Sequence, residues 1–218
     1  MRYHIDDEKL SLADLRQRIT ETDLVPSRAC LLDDIEVKFA ALEQQGILTL
    51  ADLRSELKNA KRLQALANRT GIDQQYLVLL RREVESYFPQ PFKLVDFDWL
   101  PAEEIVKLAG HSIRTTAELY ETDANHLAQT AGVDQAVLAE LVKLAGLTRV
   151  QWTNPTAARM LRETGINSAE DLAAADADKL CETLRQINAD GRFFKGNIGL
   201  RDVKRWVQSA GYVTGQGK

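Results

Sequence analysis

Toward its C-terminal end the sequence brings basic, aromatic and glycine residues together in a pattern that could bind a phosphate backbone. Residues 191–205 contain five cations, three glycines and two adjacent phenylalanines. A helix that follows such a loop directs backbone N–H groups at an anion, and a neighbouring aromatic ring can stack on a base. The residues predicted to contact nucleic acid are Arg192, Phe193, Lys195, Gly196, Asn197, Arg201, Lys204 and Arg205.

The same segment also has a simpler interpretation, a solvated basic helix face beside two core phenylalanines. Spacings of three and four residues place Arg201, Lys204 and Arg205 on one face of the predicted helix. Val203 falls on the opposite, apolar face. The sequence leaves both interpretations open.

No catalytic, cofactor-binding or metal-binding constellation stands out. The motifs of serine hydrolases, zinc proteases and P-loop nucleotidases do not occur. His111 falls in a predicted turn and His126 in a predicted helix, and spacing places no nucleophile beside either. Glu103 and Glu104 are adjacent, so on a helix they point in different directions. We therefore expect no enzymatic activity, no cofactor and no metal.

Composition indicates an ordinary globular protein. The 218 residues are 44% hydrophobic and 28% charged, with a net charge of −4, whereas a general nucleic-acid coat protein would be strongly basic. No apolar run approaches the roughly 18 residues that span a bilayer, and the N-terminus is polar. We expect no membrane association and a cytoplasmic location. Cys30 and Cys181 are far apart, which fits a reducing compartment, and we expect both to be small buried hydrophobes.

One turn motif occurs three times along the chain. A helix reaches a turn residue, an apolar residue follows, and a Thr or Ser then caps the next helix with an acid three residues later. The three copies centre on Gly46, Ser112 and Gly165, with capping pairs Thr49/Asp52, Thr115/Glu118 and Ser168/Asp171. Because Ser112 replaces glycine, we expect the middle turn to be built differently, through Gly110.

A second motif follows the first two turns. Gly71 and Gly132 each close a short helix, and Asp73 and Asp134 each cap the next one. In the third copy Ile198, Val203 and Trp206 replace the corresponding apolar residues after an inserted segment. At the N-terminus, a Ser11/Asp14 capping box opens a helix that should end before Pro26.

The pattern is all-α, with no alternation typical of strands. Two prolines in residues 87–92 mark a boundary between domains at residues 1–90 and 91–218. The apolar stretch at 87–101 has two interpretations: a strap packed between the halves, or an aromatic groove that binds a ligand.

These residues resemble the helix-hairpin-helix (SAM-like) superfamily, and within it a bacterial family described as domain of unknown function 4332. The closest resemblance covers residues 141–213 and extends more weakly back to about residue 31. Its motifs are residues 144–150, Pro155, Ala158, Leu161, residues 165–172, Asn188 and residues 203–207. The resemblance implies tandem degenerate helix-hairpin-helix repeats in two packed halves, and it implies no particular activity.

DNA-binding members of that superfamily use two glycines to bring backbone N–H groups up to a phosphate. Here Trp152 and Asn154 stand in place of those glycines, and the corresponding stretches 33–36 and 102–104 carry acids that repel phosphate. The resemblance therefore implies the fold while arguing against its best-known function.

The sequence favours a non-enzymatic interaction module, a scaffold or adaptor that binds an unidentified protein partner. The alternative is a nucleic-acid-binding accessory protein that uses the basic hairpin at residues 191–205. Nothing in the sequence predicts the oligomeric state.

Overall fold

The computed structural model describes residues 2–215, which are all-α and contain no β-strand, as the sequence predicts. Thirteen α-helices and two 3-10 helices occur in this range, with two isolated β-bridges. The chain divides into two compact units, one of residues 6–87 and one of residues 88–215 together with residues 2–5. Residues 2–5 thus group with the second unit rather than with the helices that follow them in sequence.

The first unit consists of five α-helices and the 3-10 helix Pro26–Leu32. The α-helices are α1 (Leu12–Glu21), α2 (Ile35–Gln44), α3 (Leu50–Leu57), α4 (Ala60–Thr70) and α5 (Gln74–Glu85). Ser11 and Asp14 form the predicted reciprocal capping box of α1, which ends before Pro26 as expected. Leucines such as Leu15, Leu53 and Leu77 are fully buried and form the core of this unit.

The second unit contains eight α-helices and the 3-10 helix Leu94–Asp96. The α-helices are α6 (Ala102–Gly110), α7 (Thr116–Glu121), α8 (Ala124–Thr130), α9 (Gln135–Leu147), α10 (Pro155–Glu163), α11 (Ala169–Ala173), α12 (Ala177–Ile187) and α13 (Leu200–Thr214). On helix α9, Leu138, Leu141 and Leu144 lie on one face and are shielded from solvent. Helix α7 packs against α9, and α11 packs against α13.

The three predicted turns share one hydrogen-bond pattern. The backbone φ of Ser112 is +65°, close to +77° at Gly46 and +89° at Gly165. In each turn the amide after this residue donates to a carbonyl five positions earlier, in the pairs Ile47–Leu42, Ile113–Leu108 and Ile166–Leu161. The expectation that the Ser112 turn is built differently, through Gly110, is therefore wrong. Ser112 itself takes the left-handed conformation because the turn's hydrogen bonds require it.

The helix caps that follow these turns use the predicted side chains. Thr49 with Asp52 and Thr115 with Glu118 form reciprocal capping boxes. Backbone N–H groups, those of Leu48 and Arg114 first among them, hold the pKa values of Asp52 and Glu118 below their usual range. In the third copy Ser168 accepts from the Asp171 amide, and the Asp171 carboxylate accepts from the amide of Asn167.

The cysteines follow the expectation in part. Cys181 is buried on α12 among apolar residues, whereas Cys30 is exposed on the 3-10 helix Pro26–Leu32. The expectation of a buried side chain is thus wrong for Cys30, because this short helix turns that residue outward.

The strained serine leads to a first prediction. Replacing Ser112 by Gly removes the cost of left-handed backbone, so we expect Ser112→Gly to raise the free energy of unfolding by up to about 1 kcal/mol. Gly165→Ala introduces that cost in the same unit and should lower the free energy by about 1 kcal/mol. Urea denaturation measures both changes, and a destabilised Ser112→Gly protein would contradict the assignment of strain.

Candidate binding clefts around Trp152

The loop between α9 and α10 holds a tryptophan in an unusual backbone conformation. The φ of Trp152 is +66°, in the left-handed region that favours glycine. The Thr153 amide donates to the Val150 carbonyl at 3.1 Å, and Asn154 caps α10 by accepting from the Ala157 amide at 2.8 Å. Since these contacts fix both sides of the turn, the indole is held outward and stays 38% exposed.

Trp152 lines a first cleft of about 510 Å³ with residues that precede α6. The other lining residues are Pro89, Gln90, Pro91, Phe92, Lys93, Asp96, Thr153 and Asn154. The Phe92 amide donates to Thr116 Oγ1 at 3.1 Å, and the Thr116 amide donates to the Phe92 carbonyl at 2.9 Å. This pairing anchors the segment, so it forms a fixed wall of the cleft. Phe92 lines the cleft, whereas Leu94 and Phe97 of the same stretch are buried, so both interpretations of residues 87–101 stay predictions.

Trp152 also lines a second cleft, of about 430 Å³. Its other lining residues are Phe194, Lys195, Gly196, Asn197, Ile198, Asp202, Arg205 and Trp206. The guanidinium of Arg205 lies 4.0 Å from the centre of the Trp152 ring, which is stacking distance for a cation–π contact. One indole is therefore a wall shared by two clefts, and a basic group covers part of it.

The wall formed by residues 194–198 is fixed by side chains of α12 and its C-terminal end. Asn188 accepts from the amides of Phe193 and Phe194 at 3.0 and 3.1 Å and donates to the Phe194 carbonyl at 2.9 Å. Arg185 donates to the Ile198 carbonyl at 2.9 Å. These contacts give the inserted loop a defined backbone, although it lacks secondary structure.

The structure brings together half of the residues predicted to contact nucleic acid. Lys195, Gly196, Asn197 and Arg205 line the second cleft. The others lie elsewhere: Arg192 pairs with Glu163 and stacks on Phe193, Lys204 lies 3.7 Å from Asp178, and Arg201 is exposed on the first turn of α13.

A carboxylate covers the N-terminus of α13, where the sequence suggested a phosphate. Asp202 lies in the first turn of this helix, and its carboxylate lies beside Gly199, the residue that precedes the helix. A negative group there complements the helix dipole, as a bound phosphate would. Lys195 is exposed, and within the described part of the chain it has no hydrogen-bond or ion-pair partner.

Residues 2–215 contain neither a metal-binding cluster nor a membrane-spanning helix. No group of three or more His, Cys, Asp and Glu side chains in this range could hold a metal ion. No helix in it is long and apolar enough to cross a membrane.

The fold and clefts define an all-α protein of short, side-chain-capped helices. Residues 101–212, just over half of the chain, match the family model described as Domain of unknown function (DUF4332). The chain belongs to this family, as the resemblance implied. No match was found among curated proteins or among solved structures. The helix-hairpin-helix character of the repeats stays a prediction.

Sequence reasoning identified Trp152 only as an obstacle to phosphate and missed its place between two clefts. The available signal was a bulky residue where the turn favours glycine, because such strain often marks a functional position. Its stacking on Arg205 had no such signal, since the two residues are far apart in sequence.

The hydroxyl of Thr153, which lines the first cleft, tests whether a buried polar group there lacks a hydrogen-bond partner. Its Oγ1 is buried and has no hydrogen-bond partner among the described residues, whereas Thr148 Oγ1 donates to the Ala145 carbonyl at 3.0 Å. A buried hydroxyl without a partner destabilises the folded protein because it has lost its hydrogen bonds to water. We therefore expect Thr153→Val to raise the free energy of unfolding by about 1 kcal/mol. The matched variant Thr148→Val should lower it by about 1–3 kcal/mol. Equal destabilisation by both variants, measured in urea, would mean that the Thr153 hydroxyl has a partner.

Proposed function

We propose that this protein is a non-enzymatic interaction module that binds a segment of another protein in the two clefts around Trp152. The observation that carries the proposal is the exposed indole, held at a φ of +66° and stacked against Arg205. Trp and Arg are the residues most enriched at the energetic centres of protein interfaces. We further propose that it acts in the cytoplasm, where free thiols such as Cys30 and Cys181 remain reduced.

The strain at Trp152 supports a binding role. A non-glycine residue in the left-handed region costs about 1–3 kcal/mol. Burial in the core does not offset this cost fully, because more than a third of the residue's surface stays exposed. A partner that covers the indole would gain from its large, rigid apolar surface, which is already in place before binding.

The clefts suggest the chemistry of the bound segment. Trp152 and Trp206 offer apolar surface, while Lys195 and Arg205 supply positive charge at the second cleft. Pro91 and Phe92 extend the apolar surface into the first cleft. These features favour an extended peptide with an aliphatic or aromatic side chain for Trp152 and a carboxylate for Lys195 and Arg205.

A nucleic-acid-binding accessory protein is the second candidate, favoured by the exposed cations Lys195 and Arg201. Three features weigh against it. Arg192 and Lys204 already face acids, the Asp202 carboxylate occupies the start of α13, and the whole chain carries a net charge of −4.

A displayed library of random 12-residue peptides tests the protein-binding proposal on the full chain. We expect selected peptides to combine Asp or Glu with an aromatic or aliphatic residue. A synthetic copy of such a peptide should bind Trp152→Gly at least about 30-fold more weakly, the loss of an interface hot spot of about 2 kcal/mol. Fluorescence anisotropy measures the two affinities.

Two controls separate this loss from misfolding. Gly relieves the backbone strain at position 152, so the melting temperature of Trp152→Gly should stay within a few degrees of the parent's. Val106→Ala removes another exposed apolar side chain, on α6, and should leave binding unchanged. Failure to select any peptide, or equal binding by the parent and Trp152→Gly, would rule out the clefts as the binding site.

Nucleic acid is tested separately at low salt, where its binding is strongest. Under our proposal, labelled single- and double-stranded DNA and RNA should show no binding below about 10 μM, near the stronger end of nonspecific affinities. Tighter binding that disappears when Arg192, Lys195, Arg201 and Lys204 are replaced by Ala would favour the second candidate instead.

A further inference from the structure

The N-terminal segment inserts a tyrosine into the second unit. Tyr3 is 1% exposed, although it precedes the rest of that unit by more than 80 residues of chain. The residues that hold it are Thr116, Tyr120, Glu121, Thr148 and Arg149, which we call the Tyr3 site. All five lie within the range that matches the family model. The segment that fills the site does not.

The hydroxyl of Tyr3 completes a directed chain of hydrogen bonds. The Phe92 amide donates to Thr116 Oγ1 at 3.1 Å, and Thr116 Oγ1 donates to the Tyr3 hydroxyl at 3.0 Å. Thr148 Oγ1 donates to the Ala145 carbonyl, so the contact of 3.2 Å between Tyr3 and Thr148 is one in which Tyr3 is the donor. Burial raises the pKa of Tyr3 above its usual range, which keeps this donor protonated. A phenylalanine here would leave a donor and an acceptor without a partner.

The site also binds the backbone of the segment. The Tyr3 amide donates to the Glu121 carboxylate at 2.9 Å, and Arg149 Nε donates to the Tyr3 carbonyl at 2.7 Å. Arg149 also donates to the Tyr120 hydroxyl and lies 4.1 Å from the centre of that ring. The Tyr120 ring in turn meets the Tyr3 ring edge-on, with centroids 6.1 Å apart. The main chain and the side chain of Tyr3 are thus both held at this one site.

From these contacts we infer that the Tyr3 site is a peptide receptor specific for tyrosine, and that it accepts the N-terminal segment of a second copy of this chain. Every copy carries the same segment, so each site has a ligand attached to it and an identical one on any neighbour. The attached segment is favoured at low protein concentration because it cannot diffuse away, and exchange between copies is favoured as concentration rises. This inference is independent of the clefts at Trp152.

The inference is tested by adding the N-terminal segment as a free synthetic peptide. In the full chain carrying Tyr3→Ala, a synthetic peptide of residues 1–7 should bind with a Kd below about 1 mM. The same peptide with Phe in place of Tyr should bind at least about tenfold more weakly, because it leaves Thr116 and Thr148 unsatisfied. The unmodified chain should also bind the tyrosine peptide at least about tenfold more weakly, since its own segment competes. Isothermal titration calorimetry measures all three affinities.

Absence of saturable binding to Tyr3→Ala, or equal affinity for the two peptides, would overturn the inference. Should Tyr3→Ala fail to fold, the Tyr3→Phe chain keeps the ring and weakens only the hydroxyl contacts. The tyrosine peptide should then displace the attached segment and raise the melting temperature of Tyr3→Phe, while the phenylalanine peptide should not. Equal effects of the two peptides on this variant would likewise overturn the inference.

Discussion

At the three repeated turns the chain reverses through one residue of left-handed backbone, at Gly46, Ser112 and Gly165. The turn brings an amide back to a carbonyl five residues earlier and places an apolar residue in the core. Gly46 and Gly165 adopt this conformation without strain, whereas Ser112 adopts it at a cost. All three turns make the same hydrogen bond, so the geometry of the turn outweighs the preference of serine for a negative φ.

Trp152 also takes the left-handed backbone conformation, with a φ of +66°, and its side chain determines what surface this turn presents. A glycine in this turn would leave the backbone open to an approaching anion. Here the residue is Trp152, Asn154 accepts from the Ala157 amide of α10, and Arg205 covers part of the indole ring. The turn thus presents an aromatic surface where a glycine would leave the backbone exposed.

Helix caps that depend on neighbouring residues were predictable, whereas contacts between distant residues were not. The capping boxes at Ser11 and Thr49 follow from residues three positions apart, so the sequence predicted them correctly. The Ser112 turn was mispredicted because residue preference is weaker than the hydrogen bonds that close the turn. The clefts require Trp152 to meet Arg205, a contact on which local periodicity carries no information.

The two candidate binding sites share a further property: each combines the family-matched region with a segment outside it. Pro89 to Asp96 contribute one wall of the first cleft, and Tyr3 fills a pocket whose walls lie wholly within residues 101–212. Thr116 connects the two, because its hydroxyl accepts from the Phe92 amide and donates to Tyr3. The wall of the first cleft and the Tyr3 site therefore have one hydrogen-bonding residue in common.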